Sequence, residues 1–208
     1  MAVQLLPLFP LQVVLFPQSV LPLHIFEERY KQLIAECLDE GKAFGINLIT
    51  EAGLAKVGCT ATVLELVKRY ADGRMDILVE GGERYLLEKV VASQTLFSVG
   101  QVKFFEQRTE ALDEALAEET IRLHNRLVEM VYREEAYKVE FDAANPQVSF
   151  KIAQKAGMEL SQRQVLLATE SENERLRLLH AYFVEVIPKL ERLSEVERIV
   201  KGDGYIVH

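Results

Sequence analysis

The stretch LPLFPLQVVLFPQSVLPLHIFEERY, residues 6–30, decides how the chain begins to fold. No charged side chain precedes Glu27, so a membrane span or a secretory leader must be considered. Four prolines fall from Pro7 to Pro22, however, and each removes a backbone donor that a spanning helix needs. A secretory leader would need a positively charged amino-terminal region, but no Lys or Arg precedes Arg29. We therefore expect an extended, folded amino terminus, no membrane partner and a cytoplasmic protein.

The composition is that of an acidic globular protein. Of the 208 residues 49% are apolar and 27% are charged, which excludes a disordered chain. The formal net charge of −8 disfavours a nucleic-acid binder, since phosphate backbones attract basic surfaces. Cys37 and Cys59 lack CxxC spacing, and the four histidines form no HExxH or finger pattern. We expect free, buried thiols, no metal site and no cofactor.

The first half of the chain reads as short strands with one helix. Alternating or β-branched runs predict strands at Gly58–Val67, Met75–Val79, Arg84–Val91 and Phe97–Phe105. Ala71-Asp72-Gly73 predicts a hairpin turn, and an apolar stripe predicts a helix over Glu27–Asp39 that Gly41 stops. Many short strands with one early helix favour a small, closed or nearly closed barrel.

The second half reads as helices. An apolar stripe predicts a helix over Glu110–Arg133, and Leu176–Leu193 has the same period, with a kink expected at Pro188. Helix signals also stand at Asn145-Pro146 with a stop at Gly157, and at the capping boxes Ser161–Gln164 and Ser171–Glu174. These stripes must be buried on one another or on the barrel. The prediction is an α+β protein with a barrel domain over residues 1–107 and a helical bundle over 108–208.

The sequence carries no recognisable catalytic motif. It contains no GxxxxGK[ST] phosphate loop, no GxGxxG after a strand and no GxSxG nucleophile elbow. The acidic pairs Glu27-Glu28 and Glu134-Glu135 are typical of solvated helix faces. His24, between Leu23 and Ile25, is interpreted as a hydrogen-bonded strand histidine. We predict no catalytic residue.

Several motifs together carry a family resemblance. Residues 6–30 have the character PLFPLxxVLFPxxxLPLxIFEERY, and later motifs are GKAFGIN from Gly41, GCTATV from Gly58 and VEGGERY from Val79. The helical half adds Gln164–Leu167 and Arg175–Leu178. This pattern resembles the amino-terminal, substrate-binding domain of the ATP-dependent Lon proteases over nearly the whole chain.

The resemblance implies a PUA-like β-barrel followed by a helical bundle, and a role in recognising unfolded or tagged proteins. The sequence continues into neither an ATPase module nor a Ser-Lys peptidase domain, so we expect a stand-alone, non-enzymatic binding module. Aromatic residues near the proline-rich strip are the candidate peptide contacts: Phe9, Phe16, Phe26, Tyr30 and Phe44. Their alternative role is that of ordinary core aromatics.

Other functions stay open at this point. An RNA-binding role follows from analogy to other PUA-like barrels, although the acidic charge opposes it. A small-molecule enzyme would need polar groups that converge in a pocket. The apolar strip could also pair two copies of the chain.

Overall fold

The structure, a computed structural model, describes residues 3–106, 110–142 and 147–203, with side chains as far as residue 196. The chain divides into two compact units: Met1–Thr109 with Gly157–Glu170, and Glu110–Ala156 with Ser171–His208. The fold is a mixed α/β arrangement, with one principal sheet and several helices, which agrees with the predicted class. Gly157–Glu170 lies in the first unit, although the sequence analysis places it in the helical half.

The first unit holds the strands. They are β1 (Gln4–Leu11), β2 (Val20–Ile25), β3 (Phe44–Thr50), β4 (Gly53–Leu54), β5 (Val57–Arg69), β6 (Met75–Val91) and β7 (Ser98–Phe104). Hydrogen-bonded neighbours follow the order β1-β7-β6-β5-β3, and β3 also pairs in parallel with β1. All other pairs are antiparallel; β2 pairs with β6 and β4 with β3. The two strands predicted at Met75–Val79 and Arg84–Val91 form one continuous strand, β6.

The helices are α1 (Glu28–Glu40), α2 (Glu114–Val131), α3 (Ser149–Gln154), α4 (Leu160–Ala168) and α5 (Glu172–Asp203), with a 3-10 turn at Glu135–Tyr137. The capping box predicted at Ser161–Gln164 is wrong, because Glu159 and Gln162 form it and the helix begins earlier. The α3 helix ends before the predicted stop at Gly157. The predicted start at Asn145-Pro146 lies outside the described residues.

Two local predictions of the first half are confirmed. The backbone amide of Tyr70 donates to the carbonyl of Arg74 (2.9 Å), which closes the β5–β6 hairpin around the predicted turn. The α1 helix buries Tyr30 and Leu33 and ends at Gly41, whose φ of +65° favours glycine because it has no Cβ.

Tyr85 fixes the core beneath β3, β5 and β6. Its hydroxyl donates to Oδ1 of Asn47 (2.5 Å), whose Nδ2 donates to the carbonyl of Ala55 (3.0 Å). A Cβ on Gly45 would lie 2.2 Å from the Tyr85 hydroxyl oxygen, and one on Gly58 would lie 2.5 Å from its ring. Glycine at both positions therefore makes room for one fully buried aromatic ring.

Helix α4 is tied to the sheet by side chains that bond to backbone carbonyls. Nη1 of Arg84 donates to the carbonyls of Leu167 (2.9 Å) and Thr169 (2.7 Å). Leu167 lies in the last turn of α4 and Thr169 directly follows the helix, where carbonyls lack partners within the helix. Nε2 of Gln164 donates to the carbonyl of Val57 in β5 (2.9 Å). These bonds explain why a segment so late in the sequence belongs to the sheet unit.

A buried ionic network joins the first turns of α3 and α5 in the second unit. Nη2 of Arg175 donates to Oε2 of Glu172 (2.5 Å), and Nε of Arg175 donates to Oγ of Ser149 (2.8 Å). Oγ of Ser171 accepts from the amide of Glu174 (3.1 Å), which confirms the cap predicted at Ser171. The charges are stabilised because each is paired and hydrogen-bonded.

The second unit also buries His124 of α2. Its Nε2 hydrogen-bonds with the carbonyl of Tyr137 (3.1 Å), whereas its Nδ1 has no partner among the described residues. Burial lowers the pKa of His124, because the protonated ring would lose its hydration. The ring therefore packs as a neutral core group.

Candidate functional site

Four of the five aromatic residues predicted to contact peptides lie in the core. The ring of Phe9 stacks on that of Tyr30 with centroids 3.9 Å apart, and the ring of Phe44 follows at 6.0 Å from Phe9. Phe16 is fully buried. Phe26, directly after β2, is 60% exposed. Of the five candidates, Phe26 is therefore the one placed to meet a partner at the surface.

The β2–β6 pair has two faces of different character. Pro22 lies opposite Leu78, and His24 lies opposite Asp76, so these four side chains share one face of the sheet. The intervening positions on β6, Ile77 among them, project to the other face and are buried. The first set is exposed or half-buried.

We call this exposed side the outer face. It consists of Val20, Pro22, His24, Phe26, Lys68, Tyr70, Asp76, Leu78 and Glu80. Lys68 belongs to it because β5 places it opposite Asp76. The ring of Phe26 lies nearly parallel to that of His24, with centroids 6.1 Å apart. Apolar and aromatic surface is thus collected on one side of three strands.

A carboxylate organises the polar end of the outer face. Nδ1 of His24 donates to Oδ1 of Asp76 (2.5 Å), and the hydroxyl of Tyr70 donates to Oδ2 (2.7 Å). The hydrogen bonds from His24 and then Tyr70 lower the pKa of Asp76, and the bond to Asp76 raises the pKa of Tyr70. Because the ionised carboxylate only accepts, His24 carries a proton on Nδ1. The interpretation of His24 as a hydrogen-bonded strand histidine is confirmed.

Two cations flank the Tyr70 ring. Nζ of Lys68 lies 4.5 Å from the ring centroid, and Cζ of Arg74 lies 4.9 Å from it. Nε of Arg74 also donates to Oδ2 of Asp72 (2.7 Å). Lys68 is exposed, and within the described residues it forms no ion pair. The hairpin end of the outer face therefore carries two cations beside the carboxylates of Asp72 and Asp76.

The cluster suits hydrogen bonding and aromatic contact. An Asp–His pair serves catalysis when a nucleophile joins it, but among the described residues no hydroxyl or thiol bonds to His24. Burial raises the pKa of Cys37 to about 11 and that of Cys59 to about 12, so both thiols stay protonated. Within the described ranges, no three His, Cys, Asp or Glu side chains are grouped to hold a metal ion.

Sequence reasoning missed the partners of His24. Asp76 and Tyr70 are far from it along the chain, and their meeting depends on the register between β2 and β6. The alternation from Met75 to Val79 places Asp76 on the polar side of its strand. This alternation does not indicate which strand pairs with β6.

An open groove of about 600 Å³ in the second unit is a weaker candidate. Its lining includes Glu118, Ile121, Arg122, Arg126, Glu129 and Phe141. Three of its four charged groups already pair within the chain: Arg122 with Glu119, Arg126 with Glu191, and Glu129 with Lys138. A ligand would have to displace these pairs, whereas the apolar part of the outer face is open.

A helix that spans a membrane must be both long and apolar. Over the described residues, no helix combines the length and the apolar character needed to cross a bilayer.

Known proteins with similar sequences are Lon proteases. The chain is 26% identical to the Lon protease of Azospirillum brasilense over 95% of its own length and 26% of that protein. It is also 26% identical to the Lon protease of Buchnera aphidicola, over 94% of its length and 27% of the relative. The chain thus spans about a quarter of the curated relatives that it matches.

Solved structures show the same fold. The Lon N-terminal domain protein from Xanthomonas campestris superposes with a TM-score of 0.67 at 24% identity, covering 86% of this chain and 98% of that one. The N-terminal domain of the Mycobacterium avium complex Lon protease also gives 0.67, at 20% identity, with 87% and 98% covered. The family model for the ATP-dependent protease La (LON) substrate-binding domain matches residues 5–184. The chain therefore belongs to the LON substrate-binding domain family.

Proposed function

We propose that this protein is a cytoplasmic, non-catalytic module that binds exposed segments of client proteins on its outer face. Membership in a substrate-binding domain family supports a role in protein recognition. The observation that carries the proposal is the exposure of Phe26 in line with Val20 and Pro22. Exposed apolar side chains gathered on one face mark interaction sites, because a partner releases the water that covers them.

We also infer a finer architecture that suits this role. The strand pairings from β1 through β7, β6, β5 and β3 lead back to β1, which supports a PUA-like β-barrel. The helices of the second unit form the predicted bundle, and the domain boundary near residues 107 and 108 remains part of this proposal. The outer face then belongs to a rigid sheet, so that little entropy is lost when a client docks.

Fluorescence anisotropy with a panel of labelled unfolded peptides tests client binding. We expect saturable binding that Phe26→Ala weakens about 10-fold, since an exposed aromatic anchor contributes roughly 1–3 kcal/mol at an interface. Leu96→Ala is the matched control, because Leu96 is 67% exposed but lies outside the outer face. Absence of saturable binding across the panel contradicts the proposal, as does an equal loss in both variants.

Light scattering of the same samples tests whether the outer face instead pairs two copies. A dimer mass that Phe26→Ala converts to a monomer mass would assign the surface to self-association. We expect the monomer mass for both proteins.

A further inference from the structure

The outer face is apolar in its centre and carries one exposed cation, Lys68, near one end and one exposed carboxylate, Glu80, at the other. Val20 lies opposite Glu80 at one end, and His24 lies opposite Asp76 at the other. Between them, Pro22 lies opposite Leu78. From Val20 to His24 the strand advances about 13 Å, since each residue adds about 3.3 Å.

The cation of the outer face, Lys68, lies near the β5–β6 hairpin opposite Asp76 and forms no ion pair within the described residues. The two oxygens of Asp76 are occupied by His24 and Tyr70, and Asp72 is paired with Arg74. The exposed ammonium of Lys68 contacts only the face of Tyr70 among these groups. A cation held over an aromatic ring keeps its capacity to bind a carboxylate from outside.

Negative charge dominates the opposite end. Glu80 is exposed beside Val20 at this end, and Glu65 of β5 is exposed next to the central row, opposite Leu78. Within the described residues neither carboxylate forms an ion pair.

We propose that the outer face selects client segments in which an apolar or aromatic residue lies between an acidic and a basic residue. The client carboxylate pairs with Lys68, its apolar residue packs on Pro22 and Leu78, and its cation lies near Glu80. This inference rests on the proposed function and names the class of segment that it recognises. Charge complementarity of this kind orients a partner more than it tightens binding.

Four labelled peptides with one extended Phe-Val-Leu core test the selection. Their flanks are Glu and Lys on opposite sides, Gln on both sides, Glu on both sides, or Lys on both sides. We expect the Glu/Lys peptide to bind about 3- to 10-fold more tightly than the Gln peptide at low salt. The preference should shrink at high salt, because exposed charge pairs are screened.

Charge reversal identifies the residue responsible. Lys68→Glu should abolish the preference for the Glu/Lys peptide over the Gln peptide, measured as the ratio of the two affinities. Lys89→Glu is the matched control. Lys89 is exposed like Lys68, but it lies on β6 and outside the outer face. Equal affinity for all four peptides overturns the inference and leaves the proposed function standing. Failure of every peptide to bind overturns both.

Discussion

The inner and outer faces of the β2–β6 pair come from alternate residues of the same two strands. The inner face contains four side chains that are at most 1% exposed: Ile25, Met75, Ile77 and Val79. On the outer face the matching positions are exposed or half-buried and include the His24–Asp76 bond. Because the side-chain period is two, one strand can serve packing and recognition independently. Mutations should therefore separate stability from binding, face by face.

Adjacent residues of β6 give the largest expected contrast. Ile77→Ala should lower the free energy of unfolding by about 2–5 kcal/mol, because it leaves a cavity in a close-packed core. Leu78→Ala should cost less than half as much, since Leu78 is only half-buried on the outer face. Urea unfolding followed by circular dichroism measures both. Equal losses would show that the two faces do not differ in packing.

Removal of one tyrosine hydroxyl from each environment gives the next effect. Tyr85→Phe should destabilise the protein by about 1–3 kcal/mol, because Oδ1 of Asn47 is left buried without its donor. Tyr70→Phe should change stability much less, since water can replace the lost donor to Asp76. The same urea experiment compares them. A larger loss for Tyr70→Phe would contradict the assignment of Tyr85 to the core.

A buried histidine in the second unit extends the contrast to pH. The pKa of His124 is lowered in the folded protein, so as pH falls below about 6.5 the unfolded chain binds a proton first. The free energy of unfolding should therefore be highest above that pH and decrease on acidification towards the folded pKa. His124→Gln should flatten this decrease, as measured by urea unfolding between pH 8 and 5. Parallel pH profiles for the two proteins would contradict it.

The smallest expected effect on stability is that of Asp76→Asn. At pH 7 the urea midpoint should barely move, because hydrogen bonds and charge contacts exposed to water contribute little. The bond from His24 lowers the pKa of Asp76, so its contribution is present above about pH 3.9 and is lost as pH falls through the folded pKa. The small difference between wild type and variant should thus vanish in acid. A stability difference between wild type and variant that grows in acid would contradict the hydrogen bond from His24 to ionised Asp76.

Local pattern was enough to predict most elements but not their partners. The α1 helix with its end at Gly41, the hairpin at Gly73 and the cap at Ser171 depend on neighbouring residues, and all are found. The cap of α4 was misplaced because Glu159, a less common capping residue, precedes the serine that matched the motif. Strand register has no local signal, so the meeting of His24 and Asp76 could not be predicted.

The sequence motif offered five aromatic side chains as contacts, but only one of the five is exposed. The proline-rich strip contains Phe9, Phe16 and Phe26, which are chemically identical, yet only Phe26 reaches the surface. Which aromatic is buried depends on strand pairing and on packing against α1 and α4, both set by distant residues. A resemblance to a family indicates a binding role without saying which face performs it.

The attachment of α4 through Arg84 has a consequence for synthesis on the ribosome. A nascent chain that has emerged only as far as residue 106 contains every strand but lacks the carbonyls of Leu167 and Thr169 that Arg84 binds. The sheet unit is therefore completed only after most of the second unit has been translated. Its folding cannot finish strictly from the amino terminus onward, as it does for domains that are continuous in sequence.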